Sequence, residues 1–218
     1  IISIDGQVEY GPDLPTGVFA HKITAINATV SILSGGFTNV TNYSPLTWYF
    51  NHETAVFSSG PNLLEGRSTH GSAFIVDTVT KAKVVVITGG FNITNMKSTE
   101  LLINGHWQSG TISLKTANYL ICLSEHWLLI YLFFLPTLGP PLPIGLSAFS
   151  MLSIQGDAFV FGGTTGGEQS YLGTEQSSIY QFRCSSRICR WTTLNQELKV
   201  ARYLTSVIPV PDSFCKGK

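Results

Sequence analysis

The sequence predicts an all-β protein built from repeated units. Two recurring features support this prediction: apolar runs that end in glycine doublets, and glycine–proline markers upstream of those runs. Each run is typical of a buried β-strand, and glycine allows the turn that follows without steric cost. The doublets are Gly35 and Gly36, Gly89 and Gly90, and Gly162 and Gly163. Because one such unit cannot bury its apolar surface alone, we expect the units to stack on one another.

The glycine–proline markers give the length of the unit and show one irregularity. Gly11 and Gly60 lie about 50 residues apart, within the range of periods that stacked repeats have. The next marker, Gly139, comes about 30 residues later than that period predicts. Residues 107–110 align with residues 57–60, so Gly110 takes the place of the missing marker. We therefore expect an insertion directly after Gly110.

The second and third units place the same kinds of residue around their glycine doublets. The second unit has Arg67 and His70 before the doublet and Trp107 after it. In the third unit an apolar strand at residues 179–182 is followed by Trp191 at the matching place. This order resembles the kelch repeat family, and the resemblance covers nearly the whole chain outside the insertion. It implies a β-propeller whose blades each have four antiparallel strands.

The other units fit the kelch resemblance less closely. In the first unit Trp48 comes early and Phe57 takes the place of the late aromatic residue. A closed propeller usually has four to eight blades, so we expect this chain to be a fragment that forms an incomplete propeller. The predicted division is the end of a preceding blade at 1–10, repeats at 11–59, 60–110 and 139–197, the insertion at 111–138, and the start of a fourth repeat at 198–218.

The insertion contains a strongly apolar stretch, Tyr119–Leu138. It is long enough to cross a bilayer as a helix, although Glu125 in its middle costs about 2.5–3.5 kcal/mol there. A membrane span would also put the blades before and after it on opposite sides of the membrane. We therefore favour an insertion, or sequence that the mature protein lacks, such as a translated intron, and keep the membrane span as the alternative.

The composition excludes several classes of function. The chain has 13 basic and 13 acidic residues, so no basic surface is predicted that would neutralise the phosphates of a nucleic acid. None of the sequence motifs of hydrolases, metalloproteases or nucleotide-binding loops is present. His21 and His70 occupy the same position of successive repeats, which is typical of residues that pack between blades. We predict no catalytic residue, no cofactor and no metal ligand.

Four Asn-X-Ser/Thr sequences are candidate sites of N-linked glycosylation. They begin at Asn27, Asn39, Asn42 and Asn92. Asn39 and Asn92 fall in corresponding predicted loops after the second strand of their units, and Asn27 falls in the predicted turn between the first two strands. Exposed loops of this kind are where a glycan on a secreted protein is expected. The alternative is that asparagine is simply favoured in turns.

Two cysteines lie on either side of a predicted hairpin turn. Cys184 and Cys189 take facing positions on its strands, which puts the sulfurs within reach of a disulfide. A zinc site would need two further ligands near them, and no histidine follows at a suitable spacing. A reduced pair is the alternative. With the glycosylation sequences, the disulfide predicts an extracellular or secretory protein, and a cytoplasmic location is the alternative.

The predicted function is recognition of another protein by loops on a rigid propeller. The candidate contact loops follow the glycine doublets at residues 37–44, 91–97 and 164–174. One alternative is an enzyme of the kelch-propeller copper oxidase type, for which no set of Tyr and His ligands stands out. The other alternative is a cytosolic kelch adaptor. The sequence does not identify the partner protein.

Overall fold

The computed structural model describes residues 11–39, 42–109, 139–166, 174–186 and 188–208. The predicted end of a preceding blade at residues 1–10 lies outside the described residues. So do the insertion, with its alternative of a membrane span at Tyr119–Leu138, and the last residues of the proposed fourth repeat, 209–218. All the regular secondary structure in the described ranges is β-strand.

The strands form three four-stranded antiparallel sheets, which are the blades of a propeller. The first blade and its loop contain β1 (Lys22–Ala25), β2 (Val30–Ser34), β3 (Phe37–Asn39), β4 (Asn42–Tyr43), β5 (Thr47–Asn51) and β6 (Val56–Ser59). The second blade and its loop contain β7 (Gly71–Val76), β8 (Lys83–Thr88), β9 (Phe91–Asn92), β10 (Thr94–Asn95), β11 (Thr99–Ile103) and β12 (His106–Ser109). The third blade contains β13 (Ser150–Ile154), β14 (Asp157–Phe161), β15 (Ser178–Ser185) and β16 (Ile188–Glu197).

Each blade is an antiparallel meander, so its connections divide between two ends. Short turns join the first strand to the second and the third to the fourth, and we call the end that carries them the turn face. The opposite end carries the loops that follow the glycine doublets, and we call it the ribbon face. In the first two blades these loops fold into two-stranded ribbons, β3 with β4 and β9 with β10.

Strand β8 shows why the apolar runs are continuous rather than alternating. Val85 and Ile87 point into a core shared with the first blade, which also contains Ile32. Val86, between them, points into a second core shared with Phe182 of the third blade. Because successive side chains of a strand point to opposite faces, a strand that packs against a neighbouring blade on each side has an apolar run such as residues 84–87 rather than an alternating pattern.

Each blade has an aromatic residue at the same position of its fourth strand. Phe57, Trp107 and Trp191 stand directly opposite Phe50, Leu102 and Phe182 of the third strands. The predicted equivalence of Phe57 with the two tryptophans is therefore confirmed by the strand register. Both indoles also donate a hydrogen bond to the carbonyl of a glycine–proline marker: Trp107 to Pro61 at 2.9 Å and Trp191 to Pro140 at 3.0 Å.

The glycine doublets connect each blade to the next. The second glycine of each doublet donates its backbone N–H, at 2.8 Å in every case, to a carbonyl that precedes the next blade. The three pairs are Gly36 with Arg67, Gly90 with Leu146, and Gly163 with Arg202. All six doublet glycines have positive φ, from 59° to 102°, which explains why this position favours glycine.

A second set of backbone hydrogen bonds links the blades at their innermost strands. The N–H of Thr69 donates to the carbonyl of Ala20, Ala148 to Thr69, and Leu204 to Ala148. These four residues precede the first strand of successive units, and each has a left-handed backbone with φ between 48° and 55°. Three successive blades and the start of a fourth unit therefore repeat one backbone geometry.

Candidate functional site

The ribbon face brings together the loops that the sequence singled out as contact loops. Residues that precede the first strands pair with these loops: Phe19 forms an isolated bridge with Phe37, and Ser68 with Phe91. In the third blade Thr164 bridges Ser147 in the same way. Residues 40–41 of the first loop and 167–173 of the third lie outside the described residues. The first two loops and the base of the third thus rest on backbone pairing, which gives them a rigid support.

A row of aromatic rings runs across the ribbon face from the first blade to the second. Phe19 stacks on Phe37 with ring centroids 4.9 Å apart, and Phe37 contacts Tyr43 at 4.8 Å. Tyr43 then meets the edge of Phe91 at 5.8 Å. Phe37 and Phe91 are buried, whereas Tyr43 is half-buried and Phe19 exposed. The loops of these two blades therefore form one packed layer.

The loop of the second blade presents an apolar side chain at its tip. Ile93 lies between the paired residues Asn92 and Thr94, and 81% of its surface is exposed. Its φ is +64°, a conformation that is a genuine outlier for a β-branched residue. Such outliers cluster at functional sites, because the surrounding structure has to hold them in place.

A buried ion pair supports the base of this loop. The guanidinium of Arg67, fully buried, contacts the carboxylate of Glu100 at 2.6 Å and donates to the carbonyls of Gly89 and Ser98. The other oxygen of Glu100 accepts the backbone N–H of Leu64 at 2.8 Å. The pair therefore joins the glycine doublet, the third strand and the segment that leads into the blade. Burial lowers the pKa of Arg67, and the charge of Glu100 opposes that shift.

The third blade lacks this ion pair. Leu146 occupies the position in the third unit that Arg67 occupies in the second, since the backbone carbonyl of each accepts the hydrogen bond from the second glycine of a doublet. The strand register likewise places Tyr180 at the position of Glu100. Both residues belong to the apolar core of the third blade. The fold therefore accepts either a charged pair or an apolar pair at this place.

His70 is buried beside the first glycine doublet. Its Nε2 lies 3.0 Å from the hydroxyl of Ser34, and Nδ1 has no hydrogen-bond partner among the described residues. Burial, reinforced by the charges of Arg67, Lys22 and His21, holds the pKa of His70 well below its ordinary value. The imidazole is thus neutral and packs between blades. His52 and His106 are exposed next to turns of the turn face.

The polar part of the ribbon face lies between the second and third blades. The amide of Asn95 donates to the carbonyl of Thr164 at 3.2 Å. The Oδ1 of Asn95 and the hydroxyl of Ser147, both inaccessible, have no hydrogen-bond partner among the described residues. On the ribbon face, aromatic contacts therefore join the first blade to the second, and a polar contact joins the second to the third.

The candidate glycosylation sites divide between the two faces. Asn27 lies on the turn face, in the turn between β1 and β2, and is exposed. Asn39, Asn42 and Asn92 lie on the ribbon face; the first two are exposed and Asn92 is half-buried. The oxygen of Asn27 accepts the backbone N–H groups of Thr29 and Val30, so this residue also forms the turn.

The predicted disulfide is present. Cys184 and Cys189 stand opposite each other on β15 and β16, with Cα atoms 4.1 Å apart. Both are buried in the core between the second and third blades. The carbonyl of Cys184 accepts the N–H of Thr78, and a carboxylate oxygen of Asp77 accepts the N–H of Ser186. The hairpin is thereby attached to the second blade, and a disulfide here is typical of an oxidising compartment.

The described residues form neither a cluster of metal ligands nor a helix that could cross a membrane. Within the described ranges, no three His, Cys, Asp or Glu side chains come together in a way that would hold a metal ion. No helix in the described part of the chain has the length and apolar character needed to cross a membrane.

The comparisons with known proteins show the fold and nothing finer. No protein-family model matches the sequence, and no curated protein matches it. The solved structure of YjhT is similar, with a TM-score of 0.61 at 9% sequence identity. The match covers 86% of this chain and 49% of the YjhT chain, so this chain spans about half the length of that protein. At this identity the similarity supports the propeller architecture alone.

Proposed function

We propose that this chain is a protein-recognition module of a kelch-type β-propeller that acts outside the cytosol. The observation that carries the proposal is Ile93, an exposed apolar side chain held in a strained backbone at the tip of a ribbon-face loop. The resemblance of the repeats to the kelch family, described above, supports the kelch assignment. The Cys184–Cys189 disulfide supports the location.

The contacts beneath Ile93 make it suited to bind a partner. Its loop packs through Phe91 against Tyr43, and the Arg67–Glu100 pair holds the loop base. A rigid loop loses little conformational entropy on binding, so more of the contact energy appears as affinity. A few well-packed side chains near the centre of an interface contribute most of its binding energy, and Ile93 is placed to be one of them.

The test compares Ile93→Ser with Val79→Ser. Val79 is the matched control because it is also apolar and exposed, at 61%, but lies on the turn face. Wild type and both variants are immobilised, and bound extracellular proteins are quantified by mass spectrometry and then by titration with each purified candidate. We expect Ile93→Ser to weaken binding of a specific partner at least tenfold and Val79→Ser to leave it unchanged. Equal binding by all three proteins would contradict the proposal.

A further inference from the structure

We propose that Asn27, on the turn face, carries an N-linked glycan and that Asn92 does not, so that the loop with Ile93 bears no glycan of its own. The inference rests on the proposed extracellular location, since N-linked glycans are added in the secretory pathway. Both residues belong to an Asn-X-Thr sequence. The sequence alone does not distinguish them, but their contacts do.

Asn27 has the contacts of an accessible acceptor. Its Oδ1 accepts hydrogen bonds from the N–H of Thr29 at 2.8 Å and from the hydroxyl of Thr29 at 3.1 Å. These bonds use the oxygen and fix the orientation of the side chain. The nitrogen Nδ2, to which a glycan is attached, has no part in them, and Asn27 is exposed. A sugar on Nδ2 therefore leaves every one of these contacts in place.

In Asn92 the corresponding nitrogen, Nδ2, already forms a hydrogen bond within the fold. Its Nδ2 donates to the carbonyl of Gly66 at 2.8 Å, which ties the ribbon of the second blade to the segment leading into that blade. The surroundings of Gly66 are crowded, because even a Cβ atom there would collide with the backbone carbonyl of Tyr43. A glycan on Nδ2 would need room at this contact, and Asn92 is itself half-buried.

The separation of the two sites gives the glycan a consequence for recognition. Asn27 lies at the end of the first blade opposite to Phe37 and its ribbon, with the length of β2 between them. A glycan there covers the turn face and leaves Ile93 accessible to a protein partner. The same glycan on Asn92 would be attached to the residue next to Ile93 and would cover it.

The experiment uses the protein isolated from its native eukaryotic source, in whichever compartment it is found. Glycans are removed enzymatically in ¹⁸O water, which labels each formerly glycosylated asparagine, and non-reducing peptide mass spectrometry reads the label and the disulfide together. We expect the label on Asn27 and an unlabelled Asn92. The matched variants Thr29→Ala and Thr94→Ala each remove one acceptor sequence without changing its asparagine. The first should abolish the glycan at residue 27, and the second should leave the labelling pattern of wild type.

The outcomes separate this inference from the proposed function. A label on Asn92, or an unlabelled Asn27 in protein with an intact Cys184–Cys189 bridge, would overturn the inference and leave the extracellular location standing. Unlabelled asparagines together with free thiols at both cysteines would overturn the inference and the proposed location together.

Discussion

Replacing Gly90 by alanine should break the contact between the second and third blades. Gly90 has φ +92°, and a Cβ atom there would lie 2.5 Å from the carbonyl oxygen of Ser68 and 2.7 Å from Cβ of His70. A left-handed backbone costs alanine about 1–2 kcal/mol. Relieving the collision would also displace the hydrogen bond from Gly90 to Leu146, and a buried group left unpaired costs about 1–3 kcal/mol more. We expect a loss of roughly 3–4 kcal/mol from the free energy of unfolding.

Gly105→Ala is the matched control for this substitution. Gly105 also has positive φ, +77°, but no atom lies within 4 Å of the position of its Cβ. Gly105→Ala should therefore lower the free energy of unfolding only by the backbone cost of about 1–2 kcal/mol. Urea unfolding measures both variants, and with a slope of about 1–3 kcal/mol per molar the midpoints should differ by about 1 M. Equal losses in the two variants would show that the contact between blades contributes nothing, and the reasoning would be wrong.

Three further changes test the ion pair, the buried histidine and the disulfide. Glu100→Gln should destabilise the protein by about 3 kcal/mol, because it removes the buried counter-charge of Arg67 and leaves this guanidinium with the exposed carboxylate of Glu65, 3.5 Å away. Changing both Arg67 and Glu100 to the Leu and Tyr of the third blade should cost less in the same urea titration. Between pH 7.5 and 5.5 the free energy of unfolding should fall, since the unfolded chain binds a proton at His70 below pH 6.5 and the folded chain does not. The slope approaches about 1.4 kcal/mol per pH unit, and His70→Asn should reduce it. Reduction of Cys184–Cys189 should cost about 2 kcal/mol, as expected for closing so short a loop, and unfolding with and without reductant measures it.

The strands were predictable because their signals are local. The glycine doublets mark the end of the second strand in each blade, and aromatic residues such as Trp107 and Trp191 mark the fourth strand. Both signals depend on residues that are close in sequence. The disulfide between Cys184 and Cys189 was predictable for the same reason, since one hairpin turn sets the distance.

The contacts of the candidate site were not predictable in the same way. Arg67 was noticed as part of the repeat, but its pairing with Glu100 depends on how a segment before the blade packs against the third strand of that blade. A charged residue within an apolar strand was the one signal in the sequence. The engagement of Asn92 with Gly66 and the strained conformation of Ile93 arise from packing between loops. Nothing in the local sequence distinguishes Asn92 from Asn27.

The hydrogen bonds between blades have a consequence for how such sequences diverge. The bonds at the glycine doublets and at Thr69 and Ala148 join backbone atoms, so they restrict the backbone and leave most side chains free. Only a few positions, such as Gly36, must keep a residue that tolerates their conformation. Substitutions can therefore accumulate in the side chains of such a chain while its backbone architecture persists.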